Sequence, residues 1–500
     1  MSRIASLVSA LGSRVSMRSL AMVESPLSSS LGVPVVDTDE MVGYSRDWLR
    51  KYGLGHTSPS LPNLLLARPS TYDELWSIVA AAIDAKVPIC TQSGNTGLVG
   101  GSVPTEEEQL EDGQAGQGQV LLSLRRLPQT VSIDNASGIA TCSASVVLQT
   151  LMDRAGEQGW TVPLDLGAKG SCLVGGVVAT NAGGLRFVRY GSLRGSVLGL
   201  SAITAQGGKA TELDLRRCIR KDNTGFDLKQ LFIGSEGTLG VITEVNLQLV
   251  RTSASVQAAF LGVSSFDAVL RVLDAARVQL GEIVSAIEFA DAPSVDMAVD
   301  HVSTVRNPLQ GTSAPFYMLI ETQGSSEEHD TAKLSAFLEH ILGDDAFGVV
   351  DGTMASSQSQ VGAFFELREA IPEAIVRSGA CYKYDISLPM SAFYDVVERT
   401  RERMPAECAT IAYGHIADGN LHLNIRAPEF APRYLELLEP WIFEYVQSHN
   451  GSISAEHGIG IQKAPYLSYA KPPAAIDAMR HIKQLFDPHN LMNPGKVLDL

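Results

Sequence analysis

The sequence predicts an α+β protein of several domains, and three observations support this. Segments with the period of a strand and segments with the period of a helix follow one another along the 500 residues. Hydrophobic residues make up 45% of the chain and charged residues 19%, which provides enough apolar surface for large packed cores. The 45 glycines gather in short runs, which indicates that backbone approaches a ligand closely.

Charge, hydropathy and cysteine content exclude several other classes. The formal net charge of −16 argues against a protein that binds nucleic acid. No run of about 18 apolar residues occurs, so a membrane-spanning helix is not expected. The 6 cysteines are scattered without a C-x-x-C spacing, which fits neither a disulfide framework nor a zinc-thiolate site and predicts a reducing compartment.

The first 23 residues differ from the rest of this acidic chain. They hold arginines and serines but no acidic residue. Apolar side chains fall at helical spacing and would form one stripe of a helix: Ile4, Leu7, Val8, Leu11 and Val15. This combination is typical of organelle transit peptides, and a disordered polar tail is the alternative. We therefore expect residues 1–30 to be a mitochondrial transit peptide that lies outside the fold.

A helix and a glycine loop come next. Ser70 or Thr71 is a suitable N-cap with an acidic residue three positions later, so a helix is expected directly afterwards. The strand-like segment V-P-I-C-T-Q then leads into a glycine loop over residues 93–102. Residues 105–118 are acidic and then rich in glycine and glutamine, which predicts a solvated surface excursion.

Two further glycine tracts cover residues 167–184 and 234–240, and the strand-like V-I-T-E-V-N-L-Q-L-V follows the second. A P-loop is disfavoured because Lys209 is followed by alanine, and no G-x-G-x-x-G opens a βαβ unit. Any single run could be turn punctuation, but three in order predict that backbone N–H groups hold a phosphate-containing ligand. We place a domain boundary near residue 251, so residues 31–251 form the first domain.

Residues 252–450 carry little glycine and are interpreted as an α+β substrate or cap domain. Strands are expected at V-Q-A-A-F-L-G-V and P-F-Y-M-L-I-E-T, and helices near residues 264–279 and 326–342. A last helix is expected near residues 474–486. It lies in a C-terminal region, residues 451–500, which we expect to return to the first domain.

Three histidines near the end of the chain form a candidate site. His415 and His422 flank an Asp-Gly-Asn turn between two short apolar segments. The second segment alternates, so His422 and Asn424 point together to the face opposite its apolar residues. Glu456 and His457 follow in A-E-H-G-I-G. Two imidazoles and one carboxylate suit zinc or another divalent ion, although histidines at this spacing also occur in cores and on surfaces.

Two cations could neutralise an anionic substrate. Arg368 lies in F-F-E-L-R-E-A-I-P and Lys383 in Y-K-Y-D-I-S-L-P. Arg368 could equally be an exposed helix arginine that pairs with a neighbouring glutamate. Lys383 lies on the strand face opposite Tyr382 and Tyr384, which puts its side chain either in solvent or in a pocket.

The glycine tracts resemble, in sequence and in order, the FAD-binding domain of the vanillyl-alcohol oxidase (PCMH) type. The resemblance rests on Q-S-G-N-T-G-L-V-G-G-S-V-P, P-L-D-L-G-A-K-G-S-C, G-G-V-V-A-T-N-A-G-G-L-R and L-F-I-G-S-E-G-T-L-G-V-I-T. It implies that the FAD pyrophosphate contacts Ser93, Gly94, Asn95, Thr96, Gly97, Gly100, Gly101 and Ser102. It further implies that the isoalloxazine and ribityl chain contact Pro163, Leu164, Asp165, Gly170, Ser171, Gly175, Gly176, Ala179, Asn181 and Gly184, and that Ile242 lies near the adenine. No histidine stands between His56 and His301, so the FAD is expected to be non-covalent.

The histidine motifs resemble the active site of the FAD-dependent D-2-hydroxyacid dehydrogenases. The motifs are G-H-I-A-D-G-N-L-H-L-N and A-E-H-G-I-G. By this resemblance His415, His422 and Glu456 hold a divalent metal, zinc or another, and His457 is the catalytic base. The implied reaction is metal-assisted: His457 takes the proton of the substrate 2-hydroxyl and C2 delivers a hydride to flavin N5.

From Pro69 onward the chain is most similar to the members of this family that oxidise D-2-hydroxyglutarate to 2-oxoglutarate in the mitochondrial matrix. The similarity includes R-K-D-N-T-G-F-D-L-K-Q-L-F and K-Y-D-I-S-L-P. It implies that Arg368, Lys383 and Asn424 bind the substrate carboxylates, and that Pro372 replaces a substrate-contacting threonine. Pro372 has no hydroxyl and no backbone N–H, so one substrate hydrogen bond is expected to be missing.

The resemblance also implies that electron-transferring flavoprotein is the electron acceptor. Two alternative functions remain open. A D-lactate dehydrogenase of the same family would share the D-G-N-x-H and E-H-G-x-G motifs, but Lys383 and its flanks favour the dicarboxylate. A flavin- and metal-binding scaffold without catalysis is the other, and the presence of all four residues, His415, His422, Glu456 and His457, argues against it.

Overall fold

The computed structural model describes residues 3–106 and 118–498. The predicted surface excursion at residues 105–118 therefore falls almost entirely outside the described residues. The described chain builds two five-stranded sheets, a two-stranded ribbon and one seven-stranded sheet.

The first domain begins with a mixed sheet. Its strands are β1 (Leu20–Val23), β2 (Val35–Val36), β3 (Leu64–Ala67), β4 (Ile89–Gln92) and β5 (Gln119–Ser123). Their order is β2-β1-β3-β5-β4, with β1 antiparallel to β3 and the other neighbours parallel. All five residues of β5 are buried, as expected for a strand that is covered on both faces.

The second sheet of this domain is antiparallel throughout. The remaining strands of the domain are β6 (Val131–Asp134), β7 (Ile139–Ser143), β8 (Trp160–Thr161), β9 (Val197–Thr204), β10 (Thr211–Asp214), β11 (Val241–Gln248) and β12 (Val250–Arg251). The sheet has the order β10-β9-β11-β7-β6, and β8 pairs with β12 as a separate ribbon. The domain helices are α1 (Arg3–Leu11), α2 (Pro26–Leu31), α3 (Thr38–Ser45), α4 (Tyr72–Asp84), α5 (Leu148–Gly156), α6 (Val174–Thr180), α7 (Phe187–Tyr190) and α8 (Lys229–Phe232).

The helix expected after Ser70 or Thr71 is confirmed as α4. Thr71 is the N-cap, and its side chain accepts a hydrogen bond from the Glu74 N–H at 3.1 Å. Such a cap satisfies one of the free N–H groups of the first turn.

The first residues belong to the fold, so the expectation that they lie outside it is wrong. The predicted helix does form as α1, but its apolar stripe of Ile4, Leu7 and Leu11 is buried in the core that α1 shares with α4. The chain then continues into β1, which pairs with β3. An amphipathic stripe is equally typical of a helix packed on a domain surface, and the sequence pattern does not separate the two cases.

The second domain is built on a seven-stranded antiparallel sheet. Its strands are β13 (Ser255–Val263), β14 (Val284–Asp291), β15 (Phe316–Gly324), β16 (Val349–Met354), β17 (Ala380–Ser387), β18 (Ala409–His415) and β19 (Asn420–Ala427). Their order is β16-β13-β15-β14-β18-β19-β17. The predicted boundary near residue 251 falls between β12 and β13. The strands predicted at V-Q-A-A-F-L-G-V and P-F-Y-M-L-I-E-T are confirmed as β13 and β15.

Helices cover both faces of this sheet. They are α9 (Phe266–Leu280), α10 (Ala292–His301), α11 (Glu327–Gly343), α12 (Gln358–Ser378), α13 (Asp395–Arg403), α14 (Pro432–Leu438) and α15 (Trp441–Ser448). Residues of α9, α11 and α13–α15 share one apolar core, while α10 and α12 share the core on the other face. The two helices predicted near residues 264–279 and 326–342 are confirmed as α9 and α11.

The C-terminal region packs back against the first domain. Its helix is α16 (Pro473–Phe486), close to the predicted range. Lys483 donates to the carbonyl of Thr238 at 2.8 Å, and Met492 forms a parallel bridge with Ile89 of β4. Among the described residues, no helix is both long enough and apolar enough to cross a bilayer.

Candidate active site

A cavity of about 810 Å³ lies between the glycine tracts of the first domain and the sheet of the second. This size is in the range of cofactor and substrate sites. The lining includes residues of all three glycine tracts of the first domain. From the second domain it includes residues of α12, β17, β18 and β19 and of the segment that follows α10. Glu456 and His457 complete it from the C-terminal region.

The first two glycine tracts touch each other at the cavity. A Cβ on Gly94 would lie 2.6 Å from the carbonyl oxygen of Ser171, so only glycine fits at this position. Asn95 fixes the loop, because its Nδ2 donates to the Arg46 carbonyl at 2.9 Å and its Oδ1 accepts from the Ser102 hydroxyl at 2.9 Å. The cavity wall here is backbone with short side chains, which suits a long phosphate-containing cofactor such as FAD.

Most of the residues predicted to contact FAD line this cavity. They are Ser93, Gly94, Asn95, Thr96, Gly97, Gly101, Ser102, Asp165, Ser171, Gly175, Gly176, Ala179, Gly184 and Ile242. The other five predicted residues, all of them described, are not among the lining residues: Gly100, Pro163, Leu164, Gly170 and Asn181.

Two of these five residues have evident structural roles. Leu164 belongs to the apolar core of the second sheet. Asn181 is the left-handed C-cap of α6, and its Oδ1 accepts from the Ser192 hydroxyl and the Arg194 N–H, each at 3.1 Å. A motif identifies the stretch that forms a loop, but it does not separate residues that face a ligand from those that shape the turn.

The face assignments made from strand alternation are confirmed. The hairpin of β18 and β19 places Tyr413 opposite His422, and both His422 and Asn424 line the cavity. On β17, Lys383 lines the cavity while Tyr382 and Tyr384 enter the apolar core behind the sheet. Of the two expected places for the Lys383 side chain, solvent or a pocket, the structure shows the pocket.

Glu456 stands at the centre of the three histidines. Its Oε1 lies 3.7 Å from His415 Nε2, 3.5 Å from His422 Nε2 and 3.7 Å from His457 Nε2. Its Oε2 accepts a hydrogen bond from the N–H of Gly184 in the second glycine tract at 2.7 Å. The sequence-predicted set of His415, His422, Glu456 and His457 is therefore brought together at one end of the cavity.

The donor set fits a divalent cation. The potential ligand atoms of Asp385, His422, Glu456 and His457 all lie within 4.8 Å of one another. This group shares His422 and Glu456 with the predicted ligands, and it has Asp385 and His457 where the prediction has His415. His422 Nδ1 is buried and has no hydrogen-bond partner among the described residues. Imidazole nitrogens and carboxylate oxygens that converge on one point are the ligands that zinc and similar ions prefer. The unpartnered Nδ1 of His422 is one nitrogen that a ligand could satisfy.

Two buried carboxylates behind the histidines were not among the predicted site residues. Glu288 Oε1 is 2.5 Å from His415 Nδ1, and its Oε2 accepts from Arg368 Nε at 2.6 Å. Asp385 Oδ1 lies 3.6 Å from His422 Nδ1. Asp385 could have been found, because it stands two residues after Lys383 and shares its strand face. Glu288 carries no local signal, because β14 meets β18 only through the sheet pairing.

Burial and neighbouring charges separate the protonation of the three histidines. Burial lowers the pKa of His422 well below its usual range, and the charge of Lys383 lowers it further. Burial also lowers the pKa of His457, although Asp385 and Glu456 oppose this shift. Burial also lowers the pKa of His415, but the charge and the hydrogen bond of Glu288 raise it by more, so the pKa of His415 lies well above its usual range. His457 is therefore neutral near pH 7 and can accept a proton.

The two predicted cations differ in how they are compensated. Arg368 is not an exposed helix arginine that pairs along its own helix; it is largely buried and forms an ion pair with Glu288 of β14. Lys383 donates to the Tyr413 hydroxyl at 3.0 Å and to Asn424 Oδ1 at 3.2 Å. No ion pair to Lys383 occurs among the described residues, so its charge remains available to an anion. Pro372 lies inside α12 and lines the cavity one turn after Arg368.

Comparison with known proteins agrees with this geometry. Residues 63–213 match the family described as FAD binding domain, and residues 252–497 match the family described as FAD linked oxidases, C-terminal domain. The chain is 44% identical to the mitochondrial D-2-hydroxyglutarate dehydrogenase of Rattus norvegicus, over 93% of this chain and 83% of the rat protein. It is 41% identical to a putative mitochondrial D-lactate dehydrogenase of Schizosaccharomyces pombe, over 92% of this chain and 85% of that protein.

A solved structure shows the same fold. The structure of p-cresol methylhydroxylase with substrate bound superposes with a TM-score of 0.73 at 13% identity, and the match covers 99% of this chain and 97% of the other. At 13% identity, this similarity is evidence for the fold and not for the function. The predicted α+β fold, with a PCMH-type FAD-binding domain followed by a second α+β domain, is confirmed.

Proposed function

The chain belongs to the FAD-linked D-2-hydroxyglutarate dehydrogenases, and from that premise we propose that it oxidises D-2-hydroxyglutarate to 2-oxoglutarate with FAD as hydride acceptor. The observation that carries the proposal is the Lys383 ammonium, which lines the cavity without a carboxylate partner among the described residues. Lys383 is half-buried, and a cation that is partly removed from water without a counter-ion is costly; a substrate carboxylate would supply that counter-ion.

The first domain would hold the cofactor non-covalently. The cavity-lining residues of the glycine tracts would surround it, and the three histidines of the cavity come from the second domain and the C-terminal region. Bound FAD supplies a hydride acceptor. Of the predicted FAD contacts outside the lining, Asn181 caps α6 and Leu164 packs in the core of the second sheet, so these two would support the site rather than contact the cofactor.

The second domain would bind and orient the substrate. Lys383, with Asn424 beside it, offers a charged and a neutral donor on the same strand-pair face. The guanidinium of Arg368 shares its charge with Glu288, so its contribution to carboxylate binding is partly offset. A 2-hydroxy acid with two carboxylates matches two cations at one end of the cavity better than a monocarboxylate does.

The histidine cluster would act on the 2-hydroxyl. His415, His422 and Glu456 would hold a divalent cation, zinc or another, which supplies Lewis acidity toward the hydroxyl oxygen. His457 would take the hydroxyl proton, since burial keeps its imidazole neutral near pH 7. Asp385 accepts the backbone N–H of His457 at 2.8 Å and so fixes the segment that carries the base.

The relatives are named mitochondrial, so we assign this protein to the mitochondrion, and we propose the matrix as its compartment. We also propose electron-transferring flavoprotein as the acceptor that reoxidises the flavin.

A dye-reduction assay tests the proposed function. Purified protein is mixed with D-2-hydroxyglutarate, D-malate, D-lactate and the three L-isomers, each with the same artificial acceptor. D-2-hydroxyglutarate should give the highest kcat/KM, and the L-isomers should be inactive. A higher kcat/KM for D-lactate would replace the proposal with a D-lactate dehydrogenase, and no turnover with any acid would favour the non-catalytic scaffold.

A further inference from the structure

The segment that carries Glu456 and His457 has no regular secondary structure, so other groups must define its path. On one side it is held by Asp385, a buried residue of β17. Asp385 Oδ2 accepts hydrogen bonds from the backbone N–H groups of Ala455 at 3.0 Å, Glu456 at 2.8 Å and His457 at 2.8 Å. Three donors on one carboxylate oxygen fix the backbone of both functional residues.

On the other side the segment is held by Glu236, from the third glycine tract of the first domain. Glu236 Oε1 accepts from the Ile459 N–H at 2.6 Å, and Oε2 accepts from the Gly460 N–H at 2.8 Å. Both oxygens of this buried carboxylate are thereby used on backbone. Glu236 is itself anchored, since its N–H donates to the Ala179 carbonyl at 2.8 Å and its carbonyl accepts from Asn493 Nδ2 at 2.7 Å.

We propose that Glu236 is a positioning residue that fixes Glu456 and His457 relative to the glycine-lined, flavin-binding side of the cavity, with Asp385 as its counterpart from the second domain. Five backbone N–H groups of residues 455–460 are tied to these two carboxylates. Because Glu236 belongs to the first domain and lines the cavity, it connects the proposed base to the cofactor side of the site. The kinetic part of this inference rests on the proposed function, and the backbone part does not.

The contact at Glu236 leaves no room for adjustment. A Cβ on Gly458 would lie 2.6 Å from Glu236 Oε1, and the left-handed φ of +88° also favours glycine there. A displacement of about 1 Å at a base costs on the order of a hundred-fold in rate. A substitution that removes a hydrogen-bond acceptor at position 236 should therefore displace His457 and slow the reaction, even though the two side chains do not react with each other.

The main test compares Glu236→Gln with Glu74→Gln in the FAD-loaded full chain. Glu74 is a matched control: it is a buried carboxylate of the same domain that accepts backbone N–H groups, from Ser16 at 2.9 Å and Ser70 at 2.8 Å, and it does not line the cavity. Glutamine keeps the size of glutamate but turns one acceptor oxygen into a donor, which cannot bind a backbone N–H.

Two readouts separate positioning from general support. The first is hydrogen–deuterium exchange of the peptide that spans residues 453–463, which Glu236→Gln should accelerate and Glu74→Gln should leave unchanged. The second is anaerobic flavin reduction by D-2-hydroxyglutarate, whose limiting rate should fall roughly ten- to hundred-fold in Glu236→Gln while the half-saturating substrate concentration stays within about threefold. Flavin content should stay at one FAD per chain in both variants.

Several results would overturn the proposal. Exchange and flavin reduction equal to wild type in Glu236→Gln would remove the positioning role. Loss of FAD with unchanged exchange of residues 453–463 would make Glu236 a cofactor-binding residue instead. Failure of wild-type flavin to be reduced by D-2-hydroxyglutarate would refute the proposed function, and the exchange comparison would still decide the role of Glu236.

A second pair of variants serves if Glu236→Gln does not fold. Gly458→Ala pushes against Glu236 from the loop side, whereas Gly311→Ala has a similar φ of +83° and no atom within 4 Å of the added Cβ. Faster exchange of residues 453–463 and slower flavin reduction in Gly458→Ala alone would support the proposal. Equal behaviour of the two alanine variants would contradict it.

Discussion

His422 Nε2 lies 3.5 Å from Glu456 Oε1, although the two residues reach this point from β19 of the second domain and from the C-terminal region. The same oxygen is 3.7 Å from the Nε2 atoms of His415 and His457. Three imidazole nitrogens thus converge on one carboxylate oxygen next to a glycine-lined cavity. This convergence would provide the metal site of the proposed function.

Removal of a metal should abolish turnover without removing the flavin. His422→Ala deletes one of the convergent nitrogens and should lower kcat by more than about a hundred-fold, because a proposed metal ligand is lost. Its visible flavin spectrum should persist, since His422 belongs to the second domain. Treatment with a chelator should have the same effect, and added Zn²⁺ or another divalent ion should restore activity.

His340→Ala is the control for this experiment. His340 is an exposed histidine of α11 that contacts Gln279, and its loss should leave kcat unchanged. Full turnover in metal-free protein or in His422→Ala would eliminate the metal from the reaction.

The packing of α1 predicts that the N-terminal segment stabilises the folded protein. Leu7 is fully buried between α1 and α4, so Leu7→Ala should lower the free energy of unfolding by about 2–5 kcal/mol. Ser9→Ala, on the exposed side of the same helix, should change it by less than about 0.5 kcal/mol. Denaturant unfolding of the full chain measures both. Equal stability of the two variants would restore the interpretation of residues 1–30 as a segment outside the fold.

Glu74 should make this stability depend on pH. It accepts hydrogen bonds from Ser16, Ser19 and Ser70. Burial raises the pKa of Glu74, but the hydrogen bonds outweigh burial, so its folded-state pKa lies below the ordinary value of 4.5. A lowered folded-state pKa means stabilisation that is present above the unfolded pKa and lost as the pH falls through the folded pKa.

The measurement is the difference in unfolding free energy between wild type and Glu74→Gln as a function of pH. It should be about 1–3 kcal/mol near pH 7 and should shrink steadily below pH 4.5. A difference that grows on acidification would contradict the sign of the pKa shift.

Pro372 offers a test of substrate contact along α12. Threonine at this position would restore a hydroxyl to the cavity lining and a backbone N–H to the helix. We expect Pro372→Thr to lower KM for D-2-hydroxyglutarate by about three- to ten-fold, the range of one hydrogen bond, with kcat little changed. Pro372→Ala restores the N–H without the hydroxyl and is the matched control. An equal KM in the two variants would show that the hydroxyl makes no substrate contact.

Strand alternation predicted much of the site correctly. Because side chains in a strand alternate between two faces, the sequence predicts that His422 and Asn424 share one face and that Lys383 lies opposite Tyr382 and Tyr384. That rule needs only local sequence, and the structure follows it at each of these residues.

Contacts between distant strands were beyond local reasoning. Glu288 reaches Arg368 and His415 only because β14 pairs with β18 and α12 packs nearby, and no local pattern encodes that register. The prediction that the N-terminal residues lie outside the fold is wrong for another reason. The stripe of Ile4, Leu7 and Leu11 correctly predicts a helix, but such a stripe is equally typical of an import signal and of a helix packed on a domain.

We expect Lys383 to determine which substrate is preferred, because it is the cavity cation without a carboxylate partner among the described residues. Lys383→Ala should remove a charge-assisted hydrogen bond to the distal carboxylate, worth about 1.5–3 kcal/mol, or roughly ten- to hundred-fold in kcat/KM. D-lactate has no distal carboxylate, so its kcat/KM should change little and provides the internal control.

The most direct test is therefore the ratio of kcat/KM for D-2-hydroxyglutarate to that for D-lactate, measured in wild type and in Lys383→Ala. A ratio that falls roughly ten- to hundred-fold in the variant is the predicted result. A ratio that stays the same, with equal losses for both acids, would contradict the claim that Lys383 recognises the second carboxylate.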